Sequence, residues 1–333
     1  MIKISKKQKI LVPVLVVLAL IVISACAPSV QSNKKQTKDP QTTKIFLPPE
    51  GQGIYEACAP LISESACLDR LNRIAAGGFK LVLNYDVLYG TAKQEITYAS
   101  RAQALGMKVI WAINNPEFWN GSDARKTYTD LAAKCHCTSN TGFVRYIINL
   151  VKDLPATWGY YVGDEVDPSN HHQLKVFTDL VRQVDPSHPR LFVGSAELPP
   201  VERGRLVPFV DTTDVLGVDY YPVGRTDIPK ALEATGKIAS TAQAIADQYH
   251  RQVVIVLQAH SLGEYPDNTY LCNPFPGCLP FPTRDQMRLM RDLVLKNAHP
   301  EFILWYSYFD ILKSHNPSAQ WAALVEAATG NSL

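Results

Sequence analysis

The sequence lacks a charge excess of either sign. Its 33 lysine and arginine residues nearly balance its 31 aspartate and glutamate residues, which leaves a formal net charge of +2. Four of the lysines lie within the first nine residues, so the rest of the chain is slightly acidic, at −2 (2 − 4). Proteins that bind nucleic acid need a basic surface for the phosphates. We therefore expect no nucleic acid partner.

The sequence also lacks the short motifs of several common enzyme classes. It contains no GxSxG turn, no HExxH helix, no GxxxxGK[ST] loop and no GxGxxG following a strand. These motifs belong to serine hydrolases, zinc proteases, P-loop enzymes and dinucleotide-binding enzymes, respectively. The first predicted strand, GIYEA, has no histidine for a metal barrel of the amidohydrolase type. We expect neither a cofactor nor a catalytic metal.

No apolar run is long enough to span a bilayer comfortably, since the longest, at residues 10–23, has 14 residues. It follows a lysine-rich start and leads into ISAC, where small residues precede Cys26. This pattern resembles a bacterial lipobox, which implies a signal peptide at residues 1–25 and a lipid on Cys26. The alternative is an uncleaved anchor helix. In both cases we expect a membrane-held, extracytoplasmic protein.

Residues 26–45 are polar and contain almost no large apolar side chains, so we predict a flexible tether there. The folded domain then covers residues 46–330, and nothing predicts more than a monomer. Six cysteines follow the tether, and export makes disulfides the default expectation. The short YLCNPFPGCLP segment favours a bridge between Cys272 and Cys278. Cys135 and Cys137 are so close in sequence that we expect them to bond Cys58 and Cys67, with a zinc site at CHC as the alternative.

Short β-rich runs alternate with longer amphipathic runs along the whole folded part. We predict strands at residues 53–57, 79–85, 107–113, 158–164, 190–195, 214–221, 252–258 and 301–307. We predict helices at residues 65–78, 95–106, 142–154, 172–184, 231–250, 284–298 and 320–328. Eight strand-then-helix units in one domain of this length indicate an α/β fold, a single (β/α)8 TIM barrel.

Active sites of such barrels lie at the carboxyl ends of the strands, and strand four ends in GYYVGDE. Glu165 at this point resembles the acid/base glutamate of the large clan of (β/α)8 glycoside hydrolases, which usually show Asn-Glu where this chain has Asp-Glu. The resemblance implies a general acid/base role for Glu165. Because neighbouring strand residues point to opposite faces, we expect Asp164 to turn toward a loop. Substrate contact by Asp164 is the alternative.

Retaining enzymes of that clan have a nucleophilic glutamate at the end of strand seven, where this chain has Gln258. An amide cannot form the glycosyl ester. Another carboxylate then serves as nucleophile, or the enzyme inverts, or the barrel binds sugar without cleaving it. Our candidates for the second carboxylate are Asp219 and Glu264, followed by Asp86, Asp310 and Glu56.

Aromatic and polar residues at several strand ends favour a sugar site, because rings stack on sugar faces and amides or carboxylates pair with hydroxyls. The resemblance implies that Trp305 forms the floor of this site. His260 is expected to bind substrate or to be solvated. The candidate substrate-binding residues are Asp86, Trp111, Asn114, Asp164, Tyr221, Gln258, His260, Trp305 and Tyr306.

Together these features predict an exported, membrane-anchored barrel that acts on a polysaccharide or oligosaccharide with Glu165 as general acid/base. The main alternative is a non-catalytic carbohydrate-binding barrel, in which Gln258 marks a lost nucleophile. A lyase or a transferase on the same scaffold is a third possibility. The sugar and the linkage depend on loop shape, which these patterns do not specify.

Overall fold

The structure, a computed structural model, describes residues 50–196, 205–224, 227–261 and 281–331. Eight parallel strands close into a barrel in chain order, and β8 pairs with β1. The strands are β1 (Gln52–Glu56), β2 (Leu81–Asn84), β3 (Lys108–Ala112), β4 (Thr157–Asp164), β5 (Arg190–Ser195), β6 (Val215–Tyr220), β7 (Gln252–Gln258) and β8 (Phe302–Tyr306). The predicted (β/α)8 barrel is confirmed, with every strand close to its predicted bounds.

The helices of the described residues surround the barrel. They are α1 (Pro60–Ala76), α2 (Ala92–Ala104), α3 (Thr129–Cys135), α4 (Asn140–Val151), α5 (His171–Val184), α6 (Ile228–Gln248), α7 (Arg284–Asn297), α8 (Tyr308–Ile311) and α9 (Pro317–Thr329). In the described part of the β5–β6 connection, Val207–Phe209 forms a 3-10 turn. None of the described helices is both long and apolar enough to cross a bilayer.

Helix bounds follow from caps and from apolar spacing. Thr91 opens α2 and Thr283 opens α7 with reciprocal capping boxes, each with a glutamine three residues later. In α5 the buried side chains recur at the three- and four-residue spacing of a single helix face, which packs on the sheet. These are Leu174, Phe177, Thr178 and Val181.

The core has two layers, and strand alternation assigns residues to one or the other. The outer layer lies between the sheet and the helices. The inner layer fills the barrel itself and continues toward the carboxyl ends of the strands. Its fully buried members are Tyr55, Leu81, Leu83, Ile110, Ala112, Trp158, Tyr161, Leu191, Val193, Val215, Val254, Val256, Phe302 and Leu304. Side chains that follow this inward set at the strand ends therefore form the mouth of the barrel.

The cysteines pair locally, which corrects one prediction. Cys58 bonds Cys67, with Cα atoms 5.5 Å apart, because the start of α1 folds back beside the end of β1. Cys135 pairs with Cys137, with Cα atoms 5.0 Å apart. His136 between them has a left-handed backbone (φ 52°), which reverses the chain. The expected link between the first and third loops is therefore wrong, and the zinc alternative loses its cysteine ligands. Cys26, Cys272 and Cys278 lie outside the described residues.

Candidate active site

A β-bulge at the end of β4 decides which acid faces the barrel interior. Tyr161 pairs with Leu191 of the inner layer, but the register then shifts. Gly163 comes to lie opposite Phe192 of the outer layer, and Asp164 opposite Val193 of the inner layer. The extra residue reverses the usual alternation. Asp164 therefore points into the mouth, and the expectation that it turns toward a loop is wrong.

Gly163 is required at the bulge by close packing rather than by its own backbone freedom. A Cβ atom built on Gly163 would lie 2.7 Å from Cδ2 of Phe192 and 3.2 Å from Cδ2 of Leu174. Any larger residue would push β4 away from β5 and from α5. The glycine thus holds the geometry that turns the next residue, Asp164, inward.

Asp164 is held by a tyrosine hydroxyl. Tyr85, which follows β2, donates a hydrogen bond of 3.0 Å from its hydroxyl to Oδ2 of Asp164. Burial raises the pKa of the Asp164 carboxyl, and the neighbouring Glu165 charge raises it further, whereas hydrogen bonding to tyrosines lowers it. The mouth thus contains a half-buried carboxyl group that is held in place by a hydrogen bond.

Glu165 is the next residue and is exposed to solvent. Its backbone has a positive φ of 48°, an uncommon conformation for a residue with a side chain. Its amide still donates to the carbonyl of Val193 at 2.8 Å, so this conformation occurs at a residue that remains bonded to the sheet. Such local strain is often found at functional sites. This backbone conformation directs the Glu165 side chain over the mouth, toward β6.

Asp219 lies opposite, near the carboxyl end of β6, and meets Glu165. It is 5 % exposed, and it lies close enough to Glu165 for the charges of the two carboxyl groups to interact. Burial raises the pKa of Asp219 well above its usual value, and the negative charge of Glu165 raises it further. Asp219 therefore keeps its proton to a higher pH than an isolated aspartate does. Oδ1 of Asp219 is buried and has no hydrogen-bond partner among the described residues.

Five tyrosines surround these carboxyls, and we call them the tyrosine cluster: Tyr55, Tyr85, Tyr161, Tyr221 and Tyr306. Their closest ring centroids lie 5.2 Å apart, with Phe309 at the edge. Burial raises the pKa of all five phenols, so the hydroxyls stay protonated at neutral pH. The cluster combines aromatic faces with hydroxyl donors around the acids.

The tryptophans do not belong to this site, contrary to expectation. Trp111 and Trp305 are both fully buried in the outer layer, beneath the helices. The indole Nε1 of Trp305 donates to Oε1 of Gln52 at 2.7 Å, and that of Trp111 to Oγ1 of Thr157 at 2.9 Å. Leu304 faces inward, so its neighbour Trp305 must face outward. Tyr306 is the residue of β8 that faces the mouth.

Gln258 lies at the end of β7, and its amide holds backbone groups in place. Its Oε1 accepts from the amide of Val223 at 2.8 Å, and its Nε2 donates to the carbonyls of Val223 and His260 at 3.0 and 3.2 Å. The side chain is fully buried. Gln258 thus fixes the loop after β6, which carries Tyr221, to the end of β7.

His260 packs beside the tyrosine cluster. It is 4 % exposed, and its ring meets Tyr221 edge-on with centroids 4.7 Å apart. Its Nδ1 lies 3.2 Å from the carbonyl oxygen of Tyr306, the geometry of a donated hydrogen bond. Burial lowers the pKa of His260, although Asp310 opposes this. The ring is therefore neutral at pH 7 and supports Tyr221 and Tyr306.

The remaining candidates divide between the loops and the outer layer. Asp86 and Asn114 are half-buried beyond β2 and β3, and burial raises the pKa of Asp86. Glu56 is 1 % exposed and bonds Arg70 of α1 at 2.8 Å, which gives it a structural role. Asp310 accepts from Oγ of Ser307 at 2.6 Å at the start of α8. Glu264 lies outside the described residues.

Tyr55 and Tyr161 were missed by the sequence reasoning, because both lie inside strands rather than at strand ends. The available signal was the residue spacing along each strand, which decides the face of the sheet on which a side chain lies. Tyr161 precedes Asp164 by three residues, and only the bulge brings both to the same face. Tyr55 shares its face with Gly53, a position that sequence alone does not assign to the barrel interior.

The comparisons with known proteins support the fold. No protein-family model matches the chain, and none of the curated proteins matches it. Among solved structures it is similar to a GH113 β-mannanase from Alicyclobacillus acidocaldarius, at 11 % identity and a TM-score of 0.53. That match covers 86 % of this chain and 97 % of the mannanase.

Two further structures give the same result. An endo-β-1,4-mannanase from Thermotoga petrophila has 13 % identity and a TM-score of 0.53, over 87 % of this chain and 79 % of the mannanase. A provisionally assigned α-L-fucosidase from Bacteroides thetaiotaomicron has 11 % identity and a TM-score of 0.55, over 89 % and 98 %. At such low identity the likeness shows the fold alone, a barrel that glycoside hydrolases use. The predicted resemblance is confirmed at that level.

Proposed function

We propose that this protein is a glycoside hydrolase in which Glu165 is the general acid and Asp219 is its partner carboxyl. The observation that carries the proposal is the convergence of these acids at the carboxyl-end mouth of the barrel, where β4 and β6 flank β5. The shared fold of the structural neighbours supports it, and so does the surrounding tyrosine cluster. Sugar rings stack on aromatic faces, and glycoside cleavage needs a carboxylic acid that retains its proton together with a second carboxylate.

We assign the proton for the leaving group to this pair of carboxyls. Glu165 is exposed, so it reaches a glycosidic oxygen, and the buried Asp219, whose pKa burial raises, retains a proton beside it. In hydrolysis the pair gives its proton to that oxygen as the bond to the anomeric carbon breaks. Water adds to the anomeric carbon and loses a proton to a carboxylate, which restores the charge balance of the site.

Gln258 favours direct attack by water over a covalent intermediate. Its amide is not a nucleophile, and its hydrogen bonds to Val223 and His260 hold it away from the reaction. Asp164 is the candidate that accepts the proton of this water, because it faces the mouth beside the acid pair. Under this mechanism the product anomer is inverted relative to the substrate.

We further propose that the protein is exported and attached to the extracytoplasmic face of the cell membrane through a lipid on Cys26. The lysine-rich start, the apolar run and ISAC support this placement. Mass spectrometry of the protein isolated from membranes should find acyl chains on Cys26 at the amino terminus. A soluble product that retains residues 1–25 would contradict it.

The hydrolase proposal is tested with the full chain in mild detergent and a panel of polysaccharides. New reducing ends should form with the wild type, and Glu165→Gln should lower the rate by about 100- to 10,000-fold, the range that general acid catalysis supplies. Asp179→Asn, a change at an exposed residue of α5 that pairs with Lys175, is the matched control and should keep full activity. Equal rates for Glu165→Gln and wild type would refute the role of Glu165.

The second candidate is a carbohydrate-binding barrel without catalysis, and the fully bonded Gln258 amide favours it. It predicts that the wild type binds a glycan of the panel and releases no reducing ends. In that case Glu165→Gln should change the affinity only modestly. A measured dissociation constant together with a reducing-end assay on the same glycan separates the two candidates.

A further inference from the structure

The mouth of the barrel carries an excess of negative charge. Asp164, Glu165 and Asp219 converge there from two strands. Among the other buried acids of the described residues, Glu56 is paired with Arg70, whereas Glu95 is a single isolated carboxyl without a partner. No ion pair joins any of the three mouth acids to a described lysine or arginine side chain. Even with a proton on Asp219, two further carboxyl groups remain at the site.

Burial makes this charge expensive unless something compensates it. Asp219 is 5 % exposed, and its Oδ1 has no hydrogen-bond partner among the described residues. That oxygen lies on the inward face of β6, within the tyrosine cluster. An acceptor in such a place is suited to a ligand donor, and a cationic donor would offset the charge as well as the missing hydrogen bond.

The aromatic rings around the acids also favour a cationic ligand. The faces of Tyr55, Tyr85 and Tyr306 lie with centroids 5.2 to 6.5 Å apart, and Phe309 adds a ring at the edge. Aromatic faces attract ammonium groups through the ring quadrupole, and cages of such rings bind amines. The Nζ atom of Lys313 already lies 5.6 Å from the Phe309 centroid, so one ring of the set holds an ammonium group of the protein itself.

We infer that the site accepts a sugar that carries a protonated amine, a glucosamine-type residue, in preference to neutral or acidic sugars. The amine would lie against the tyrosine cluster and donate to Asp219, near Asp164. This inference rests on the proposed function and specifies its substrate class. A uronic acid would add a further negative charge to the mouth, and a neutral sugar would bring no positive charge to the acids.

The test compares oligosaccharides that share a backbone and differ in charge. The full chain in mild detergent is titrated with glucosamine oligosaccharides, their N-acetylated counterparts and galacturonic acid oligosaccharides, at a pH that keeps the amine protonated. We expect binding of the amine form to be tighter by about tenfold or more than that of the acetylated form, as measured by calorimetry. The preference should shrink as salt is added. Equal or tighter binding of the acetylated or the acidic form would overturn the inference.

Two pairs of variants assign the preference to the site. Asp219→Asn should reduce the preference to within about threefold, since it removes the charge but keeps the shape, whereas Asp179→Asn should leave it intact. Tyr306→Leu should lose the preference, and Tyr306→Phe should retain most of it, because only the former removes the aromatic face. Retention of the preference in both Asp219→Asn and Tyr306→Leu would also overturn the inference.

The outcomes separate this inference from the proposed function. Cleavage of neutral glycans without amine preference leaves the hydrolase proposal standing and refutes the inference. Tight, amine-selective binding without release of reducing ends supports the inference and refutes the hydrolase. Failure to bind any member of the set, with a folded protein by circular dichroism, refutes the inference, while the polysaccharide panel still decides on hydrolysis.

Discussion

Two aspartates at opposite ends of the same strand have opposite surroundings. Asp214 directly precedes β6 and bonds Nε of Arg190 at 2.8 Å and Nη2 of Arg182 at 2.7 Å. Asp219, near the other end of β6, faces Glu165 instead of a cation. Burial raises the pKa of both carboxyls. At Asp214 the neighbouring arginines oppose the rise, whereas at Asp219 a second acid adds to it.

The difference separates a stabilising end of the barrel from a functional end. At the amino-terminal end the charges are compensated, as expected where a barrel only needs to hold together. At the carboxyl-terminal end, acids are placed together and none of them pairs with a described lysine or arginine, an arrangement that costs stability and shifts proton affinities. Substitutions that remove one charge should therefore have opposite effects on the free energy of unfolding at the two ends.

The largest effect is expected for Asp214→Asn. It leaves Arg190, which is 1 % exposed, without its counter-charge in a buried position. We expect a loss of about 3 kcal/mol in the free energy of unfolding, the low end for a broken buried pair, because Asp214 is 34 % exposed. Urea unfolding followed by circular dichroism measures it.

The control for this experiment is Asp179→Asn, at an exposed ion pair, which should cost less than about 0.5 kcal/mol. Activity per folded molecule should be unchanged in Asp214→Asn, because the residue is remote from the mouth. An unfolding free energy equal to that of the wild type would show that the arginine network contributes little, and the comparison between the two ends would fail.

The next largest effect is expected for Gln258→Glu, which tests whether the mouth also contains a purely structural contact. The new oxygen would face the carbonyls of Val223 and His260, where an N–H group now donates. We expect a loss of about 2 kcal/mol at neutral pH, because acceptors would meet acceptors. The loss should shrink on acidification, since a protonated carboxyl donates again.

Gln103→Glu, at an exposed position on α2, is the matched control and should be nearly neutral in stability. No new glycosidase activity is expected from Gln258→Glu, because loosening Val223 also loosens the loop that carries Tyr221. A variant that folds as well as the wild type and cleaves glycans faster would contradict the structural role and indicate a vacant nucleophile position.

The fold could be predicted from the sequence, but the facing of individual side chains could not. Strands and helices alternate with clear periods, so the barrel and the position of Glu165 at its mouth follow directly. Parallel strands in a barrel are apolar on both faces, so no polar alternation shows which side is inward. For that reason both Trp305 and Tyr306 were predicted to bind substrate, although only Tyr306 faces the mouth.

The bulge in β4 explains the other error. A single extra residue reversed the facing of Asp164, and the only local signal was Gly163, which is also compatible with an ordinary strand. The contact between Glu165 and Asp219 depends on two strands that are distant in sequence. Their ends could be placed on the same rim, but the close approach of the two carboxyl groups could not be predicted. Geometry at this scale comes from packing rather than from local pattern.

The smallest effect, and one of opposite sign, is expected for Asp219→Asn. The folded-state pKa of Asp219 is raised, so its ionisation costs stability, and wild-type stability falls as pH rises through that pKa. The pKa of Asp214 is raised too, but removing the Asp214 charge leaves the buried Arg190 unpaired, whereas no described arginine or lysine forms an ion pair with Asp219. Below the unfolded-state pKa of about 3.9 the carboxyl is neutral in both states, so wild type and variant should be equally stable there. At pH 7 the variant should be more stable by about 1 kcal/mol, a rise in melting temperature of about 2 °C. Thermal unfolding of both proteins from pH 4 to pH 8 measures this, and a variant less stable than wild type at pH 7 would mean that Asp219 is compensated in the free protein. The same substitution should lower glycosidase activity. The Asp219 carboxyl, whose ionisation costs stability, is also the group that retains the proton for the reaction.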